Sequence, residues 1–196
     1  MTKQMKFDAA ARNEFKDGVS QIARAVALTM GPTGRNVVVQ KSFGGPSVTK
    51  DGVSVAKEIE LAQPFANMGA KMINQVAKKT ADVAGDGTSC ATVLAQGIYH
   101  EGLRHVTAGA SPMALQRGIN DAAQVASKAF EDMAITCKGR ADLEKIACVS
   151  ANHDEEIGGI IAEANDRVGA EGVVEVEEGK TADMTLDYVE GMAFDK

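Results

Sequence analysis

The residues best suited to chemistry lie in one short run, Ala84-Gly85-Asp86-Gly87-Thr88-Ser89-Cys90-Ala91-Thr92. Apolar positions recur at helical spacing before Gly85 and after Thr88, so the run is predicted to join two helices. Two glycines at such a junction let the backbone approach a ligand closely. The free N–H groups at the start of the second helix, with its dipole, suit a phosphate group. The Thr88 and Ser89 hydroxyls can add hydrogen bonds. The Asp86 carboxylate suits Mg2+, a hard cation that prefers carboxylate and phosphate oxygens. A plain turn between helices, with Thr88 as N-cap, accounts for the same residues.

Two further segments have a similar character. Thr29-Met30-Gly31-Pro32-Thr33-Gly34-Arg35 is a second glycine-rich helix terminus, and Lys50-Asp51-Gly52 is a turn with one cation and one carboxylate. Taken singly, each is equally an ordinary structural turn. Other motifs fail on spacing. Gly179-Lys180-Thr181 resembles the end of a phosphate-binding P-loop, but Val174 stands where that loop needs glycine. His100 and His105 are five apart, not the four that would place both on one helix face for zinc. His153 lies in a polar loop.

Several elements must position these residues. Phe15, Val19, Ile22 and Val26 mark one stripe of a helix over 9–30, stopped by Gly31-Pro32. Val37-Val38-Val39, the Gly44-Gly45-Pro46 turn and Val48-Thr49 predict a β-hairpin within 36–50, with Asp51-Gly52 as a second turn. Three long helices come next. One starts after Pro64 and carries Met68, Met72, Val76 and Val83. One starts at Thr88 and carries Ala91, Leu94, Ala95, Ile98 and Val106. The third starts at Ser111-Pro112, a strong N-cap and N1 pair, and carries Leu115, Ile119, Ala122, Ala126, Ala129 and Met133. The many alanines imply close helix packing. Shorter helices are predicted over 141–149 and 155–168. Two strands are predicted over 172–177 and 184–189, where apolar residues alternate with acidic or polar ones, joined by a turn at 179–181.

The 196 residues are 44% hydrophobic and 24% charged, enough apolar material for a sizeable core. No run approaches the 18 apolar residues of a membrane span. Met1 to Asp8 has Lys3 and Lys6 with no apolar stretch behind them, unlike a secretory or transit segment. A net charge of −6 disfavours a broad nucleic-acid surface. Residues 1–133 hold 15 Lys+Arg against 12 Asp+Glu, net +3, whereas residues 134–196 hold 6 against 15, net −9. This change predicts two regions with different surroundings. Three cysteines without CxxC spacing read as reduced cytosolic thiols.

In chain order, Thr29 to Val38, Lys41-Ser42-Phe43-Gly44, Thr49 to Ala56 and Gly85-Asp86-Gly87-Thr88 resemble the group I (GroEL-type) chaperonins. The likeness continues through Ala91 to Ala95, Pro112-Met113, Arg117-Gly118-Ile119, Ser150-Ala151-Asn152, Val168-Gly169, Glu171-Gly172-Val173 and Val189-Glu190-Gly191-Met192. It spans nearly the whole chain but only the N-terminal part of the much longer family members.

The resemblance implies an α+β, mainly α fold. Residues 1–133 would be the first half of the helical ATP-binding equatorial domain, with its hairpin. Residues 134–190 would be the first segment of the α/β intermediate domain, and 191–196 the hinge and start of the apical domain. It further implies that Thr29, Met30, Gly31 and Pro32 form a nucleotide loop and that Lys50 contacts the nucleotide. Asp51 would be the catalytic carboxylate near the γ-phosphate, and Asp86 the Mg2+ ligand. Gly87, Thr88, Ser89 and Cys90 would form the phosphate-binding helix start. The implied cofactors are ATP and Mg2+, with water attacking the γ-phosphate by positioning and charge stabilisation. The implied partners are further copies of the chain in a ring (a double heptamer), a GroES-type co-chaperonin and unfolded polypeptides, in the cytoplasm, with no nucleic acid or membrane. The hairpin would pair with a neighbouring subunit's edge.

Two residues depart from the family pattern. Cys90 replaces the last of three threonines, and losing one hydrogen bond to a charged phosphate costs about 1.5–3 kcal/mol. Thr33 stands where lysine is common. Because the chain stops soon after a strand, it is expected to be a fragment of a chaperonin ATPase, inactive in isolation. The alternative is a short paralogue that binds nucleotide or a ring without hydrolysis.

Overall fold

The α1 helix (Asp8–Ala27) forms where the stripe predicts, and it buries Val19, Ile22 and Val26. It ends three residues before the expected stop. The Thr29 hydroxyl and amide both donate to the Val26 carbonyl, at 2.7 and 3.0 Å, and the Met30 amide donates to Ala27, which tightens the last turn before Gly31-Pro32 is reached. The structure, a computed structural model, describes residues 4–40, 44–169, 172–177, 179 and 184–191. Lys41-Ser42-Phe43, Glu171, Lys180-Thr181 and the hinge-and-apical segment from Met192 lie outside the described residues.

The hairpin is present as β1 (Val37–Val39) and β2 (Ser47–Thr49), antiparallel with Val38 opposite Val48. Asp51-Gly52 is not the simple turn that its spacing predicts. A short helix, α2 (Gly52–Glu58), begins there with Asp51 as its N-cap. Next comes α3 (Pro64–Ala84), with Pro64 in its first turn, then α4 (Thr88–Thr107) and α5 (Pro112–Met133). The Ala114 amide donates to the Ser111 hydroxyl at 3.4 Å, in keeping with Ser111 as the start signal of α5. Last come α6 (Arg140–Ser150) and α7 (Glu155–Val168), the latter on the expected bounds and capped by Asp154. Among the described residues the fold is mainly helical, as expected, and its one sheet is the two-stranded hairpin.

The chain divides into two compact units, Met1–Gln124 and Val125–Lys196. In the first, α3 packs on α1 through its smallest residues. A Cβ on Gly18 would fall on the Ala66 carbonyl, and one on Gly69 would fall on the Phe15 carbonyl. The two backbones therefore approach as closely as only glycine allows. Ile22, Val26, Ala56, Ala70 and Ile73 fill the core beside this seam, and Phe15 and Tyr99 pack at its edge with ring centroids 5.5 Å apart. In the second unit, α6 and α7 pack together and bury Ala147, Ala162 and Ala164.

Two further expectations need correction. The apolar stripe expected on α3 does not face the core: Met68 is 56% and Met72 54% exposed, and Val76 and Val83 are exposed too, while Ala66, Ala70, Ile73 and Ala77 are buried. Leu94 and Ile98 on α4 are likewise exposed, and α5 buries no residue, so its alanines make no close helix packing here. The segments 172–177 and 184–189 form no strands. A strand needs a ladder partner, and the one ladder among the described residues is β1 with β2.

Candidate functional site

Three pieces of the first unit meet at the start of α2. The Cα of Gly52 lies where an added Cβ would fall on the Ser89 hydroxyl, 2.9 Å from Val26 Cγ1. Val26 belongs to the last turn of α1, and its carbonyl anchors Thr29. The structure thus brings the residue after Asp51 against the first turn of α4 and beside the root of the 29–32 loop.

Asp51 is held firmly. Its Oδ1 accepts from the Val53 amide at 3.3 Å, and its Oδ2 accepts from the Ser54 amide at 2.9 Å and the Ser54 hydroxyl at 2.5 Å. Its own amide donates to Thr49 Oγ1 at 3.0 Å, which fixes the bend that carries the exposed Lys50. Partial burial pushes the Asp51 carboxyl up. The hydrogen bonds from Ser54 and then Val53, with the Lys57 cation, outweigh that effect and hold it below the ordinary carboxylate value. The group is therefore an ionised acceptor of fixed direction and a weak base. Sequence reasoning missed Ser54 and the helix it helps start. The available signal was the Asp51-Gly52-Val53-Ser54 spacing, which puts a hydroxyl three residues after a capping carboxylate.

The 85–90 junction is open. Gly85 ends α3 and Gly87 caps α4, both with left-handed backbone at φ +73° and +78°, and no atom lies within 4 Å of a Cβ placed on either. Thr88 is the first helical residue and not the N-cap, which corrects the expectation. With glycine at the cap, no side chain covers the first turn, and the amides of Thr88, Ser89 and Cys90 find no acceptor among the described residues. Thr88 and Ser89 are half-buried and Cys90 is exposed. Asp86 is exposed; Oδ1 accepts from the Gly87 amide at 2.6 Å, and Oδ2 has no partner among the described residues.

This donor set fits Mg2+ held by one carboxylate together with phosphate oxygens and water. No group of three or more His, Cys, Asp or Glu among the described residues could hold a metal by itself. The bare first turn and the open glycines fit a phosphate. Thr29 and Met30 are half-buried; Gly31, with φ +76°, and Pro32 are exposed at the end of the same loop.

Residues 22–196 match the TCP-1/cpn60 chaperonin family. The chain belongs to that family. Among solved chaperonin structures, it is similar to a group III chaperonin in the open state at 26% identity, with a TM-score of 0.67 over 81% of this chain and 32% of the other. It is also similar to chaperonin gp146 from bacteriophage EL 2 (Pseudomonas aeruginosa), crystallised in the presence of ATP-BeFx. There the identity is 29% and the TM-score 0.66, over 81% of this chain and 28% of the other. A second crystal form of that phage chaperonin matches equally well, with a TM-score of 0.67. The chain spans about a third of the length of the chaperonins it matches. No described helix is long and apolar enough to cross a membrane.

Proposed function

We propose that this chain is the nucleotide-binding portion of an ATP-dependent chaperonin subunit that assists polypeptide folding in a ring of like subunits. The observation that carries the reading is the meeting of Gly52, Ser89 and Val26, which sets the Lys50-Asp51-Gly52 segment against the first turn of α4 and beside the helix end from which the 29–32 loop leaves. Residues 1–133 then correspond to the first half of the equatorial domain, 134–190 to the first intermediate segment and 191–196 to the hinge and the start of the apical domain.

In this reading, the Thr88, Ser89 and Cys90 amides hold phosphate oxygens, and the 29–32 loop and Lys50 flank the nucleotide. Asp86 would hold Mg2+, which supplies charge neutralisation on the phosphates. Asp51, ionised and fixed by its three hydrogen bonds, accepts from the attacking water and orients it. Its depressed proton affinity favours that role over full proton abstraction. The partners proposed with it are a GroES-type co-chaperonin and unfolded polypeptides, in the cytoplasm, and the hairpin pairs with a neighbouring subunit.

The test is nucleotide binding and turnover by the native gene product. ATP should bind in a Mg2+-dependent way. Asp86→Ala should weaken Mg-ATP at least tenfold, and Asp51→Ala should retain binding while losing most hydrolysis. Absence of ATP binding at millimolar nucleotide would sink the proposal.

A further inference from the structure

We propose that Gly52 and Ser89 form a spacer that sets the distance between the Asp51 carboxylate and the first turn of α4, and so act as positioning residues for phosphoryl chemistry. This rests on the nucleotide-binding function proposed above.

The backbone of Gly52 does not require glycine, since it is not among the positions with positive φ. It is also helical, where alanine is the better residue. Space is what excludes a side chain. An added Cβ would fall on Ser89 Oγ and lie 2.9 Å from Val26 Cγ1 and 3.3 Å from Ser89 Cβ. Val26 is buried in the core beneath and cannot give way. A methyl at position 52 must therefore push the start of α2 away from both α1 and α4.

The carboxylate would follow that movement. Asp51 is bound to the Val53 and Ser54 amides and the Ser54 hydroxyl, so it travels with the first turn of α2 as one body. At the other end, Asn74 Nδ2 on α3 donates to the Ala56 carbonyl at 2.6 Å and ties down the end of the helix. The added bulk thus tilts the α2 N-terminus and spares the rest. Displacements of this kind near 1 Å can cost two orders of magnitude in rate while ground-state binding survives.

The experiment places Gly52→Ala, Ser89→Ala and the double substitution in the native gene product. It measures kcat for Mg-ATP hydrolysis, the Kd for ADP and the melting temperature. Gly52→Ala should lower kcat tenfold or more, with the ADP Kd within threefold. Ser89→Ala should lower kcat in the parent but restore part of the lost kcat in the Gly52→Ala background, because it removes the nearer of the two obstructions and leaves Val26. A Gly52→Ala kcat within twofold of the parent, or losses that multiply in the double variant, would overturn the spacer while leaving the proposed function standing. A parent that binds neither ATP nor ADP overturns the function and this role together. If Gly52→Ala alone does not fold, the double variant decides: turnover supports the spacer, and failure to fold overturns it.

Discussion

The helices α1 and α5 make an instructive pair. α5 separates its apolar and polar faces more sharply than α1, yet it buries nothing, while α1 buries five residues. The difference lies in what each one meets. α1 presents Gly18 to Ala66 and receives Gly69 at Phe15, so two backbones close on each other and the apolar side chains beside the seam are sealed. α5 offers Ile119, Phe130 and Met133, and no comparable surface receives them among the described residues. Amphipathic spacing specifies that a helix has an inner face, but it does not say that the face is covered.

The comparison can be broken most directly at the core. Ile22→Ala should cost about 2–5 kcal/mol of unfolding free energy, whereas Phe130→Ala should change it by less than about 0.5 kcal/mol. Urea titrations followed by circular dichroism check both, and equal effects would erase the distinction. Next in size is the seam. Gly69→Ala should cost about 1–3 kcal/mol, because its methyl meets a backbone carbonyl that cannot step aside. Gly118→Ala on α5, where no atom stands nearby, should instead stabilise by up to about 1 kcal/mol.

A smaller effect sharpens the contrast at the site. Asp51→Ala should cost about 1 kcal/mol through the lost cap of α2. The proton affinity of Asp51 is depressed in the fold, so its charge contributes stability above the unfolded value near 3.8, and that contribution is lost as pH falls through the lower folded value. Acid titration of stability should accordingly be shallower in Asp51→Asn than in the parent. The smallest effect belongs to His100 on α4, whose ring nitrogen lies 3.1 Å from the Ser20 hydroxyl on α1. Burial, and then Lys16, hold its imidazole below the ordinary 6.5, against the opposing Glu101. The unfolded chain therefore takes up a proton first, and stability should decline as pH drops below about 6.5. His100→Gln should remove that slope in melting temperatures taken between pH 7.5 and 5.5.

Much of the fold was legible where local signals are strong. Pro64 and Ser111-Pro112 mark helix starts, the 155–168 pattern gives α7 its bounds, and the valines around Gly44-Gly45-Pro46 give the hairpin. The α2 helix was not legible, because Val53 and Val55 alternate over so short a stretch that no helical period can develop. Its start depends on the Asp51 cap, which acts at a single residue. The acidic alternation in 172–177 and 184–189 misled for the opposite reason: period two describes a strand only when a neighbour completes its ladder. At the site, the glycines, Asp86 and the Thr88-Ser89-Cys90 hydroxyl-and-thiol run were visible from composition and order. The carboxylate's three hydrogen bonds and the contact of Gly52 with Ser89 were not.

The sequence by itself determined where the long helices run and which residues interrupt them, because periodicity, proline and glycine act within a few residues, and its ordered motifs carried the resemblance to the chaperonins. Tertiary structure decided which face of α3 is buried, that Asp51 caps a helix, and that Gly52 rests on Ser89. Those outcomes depend on contacts between residues tens of positions apart, and such contacts are set by how closely two backbones can approach.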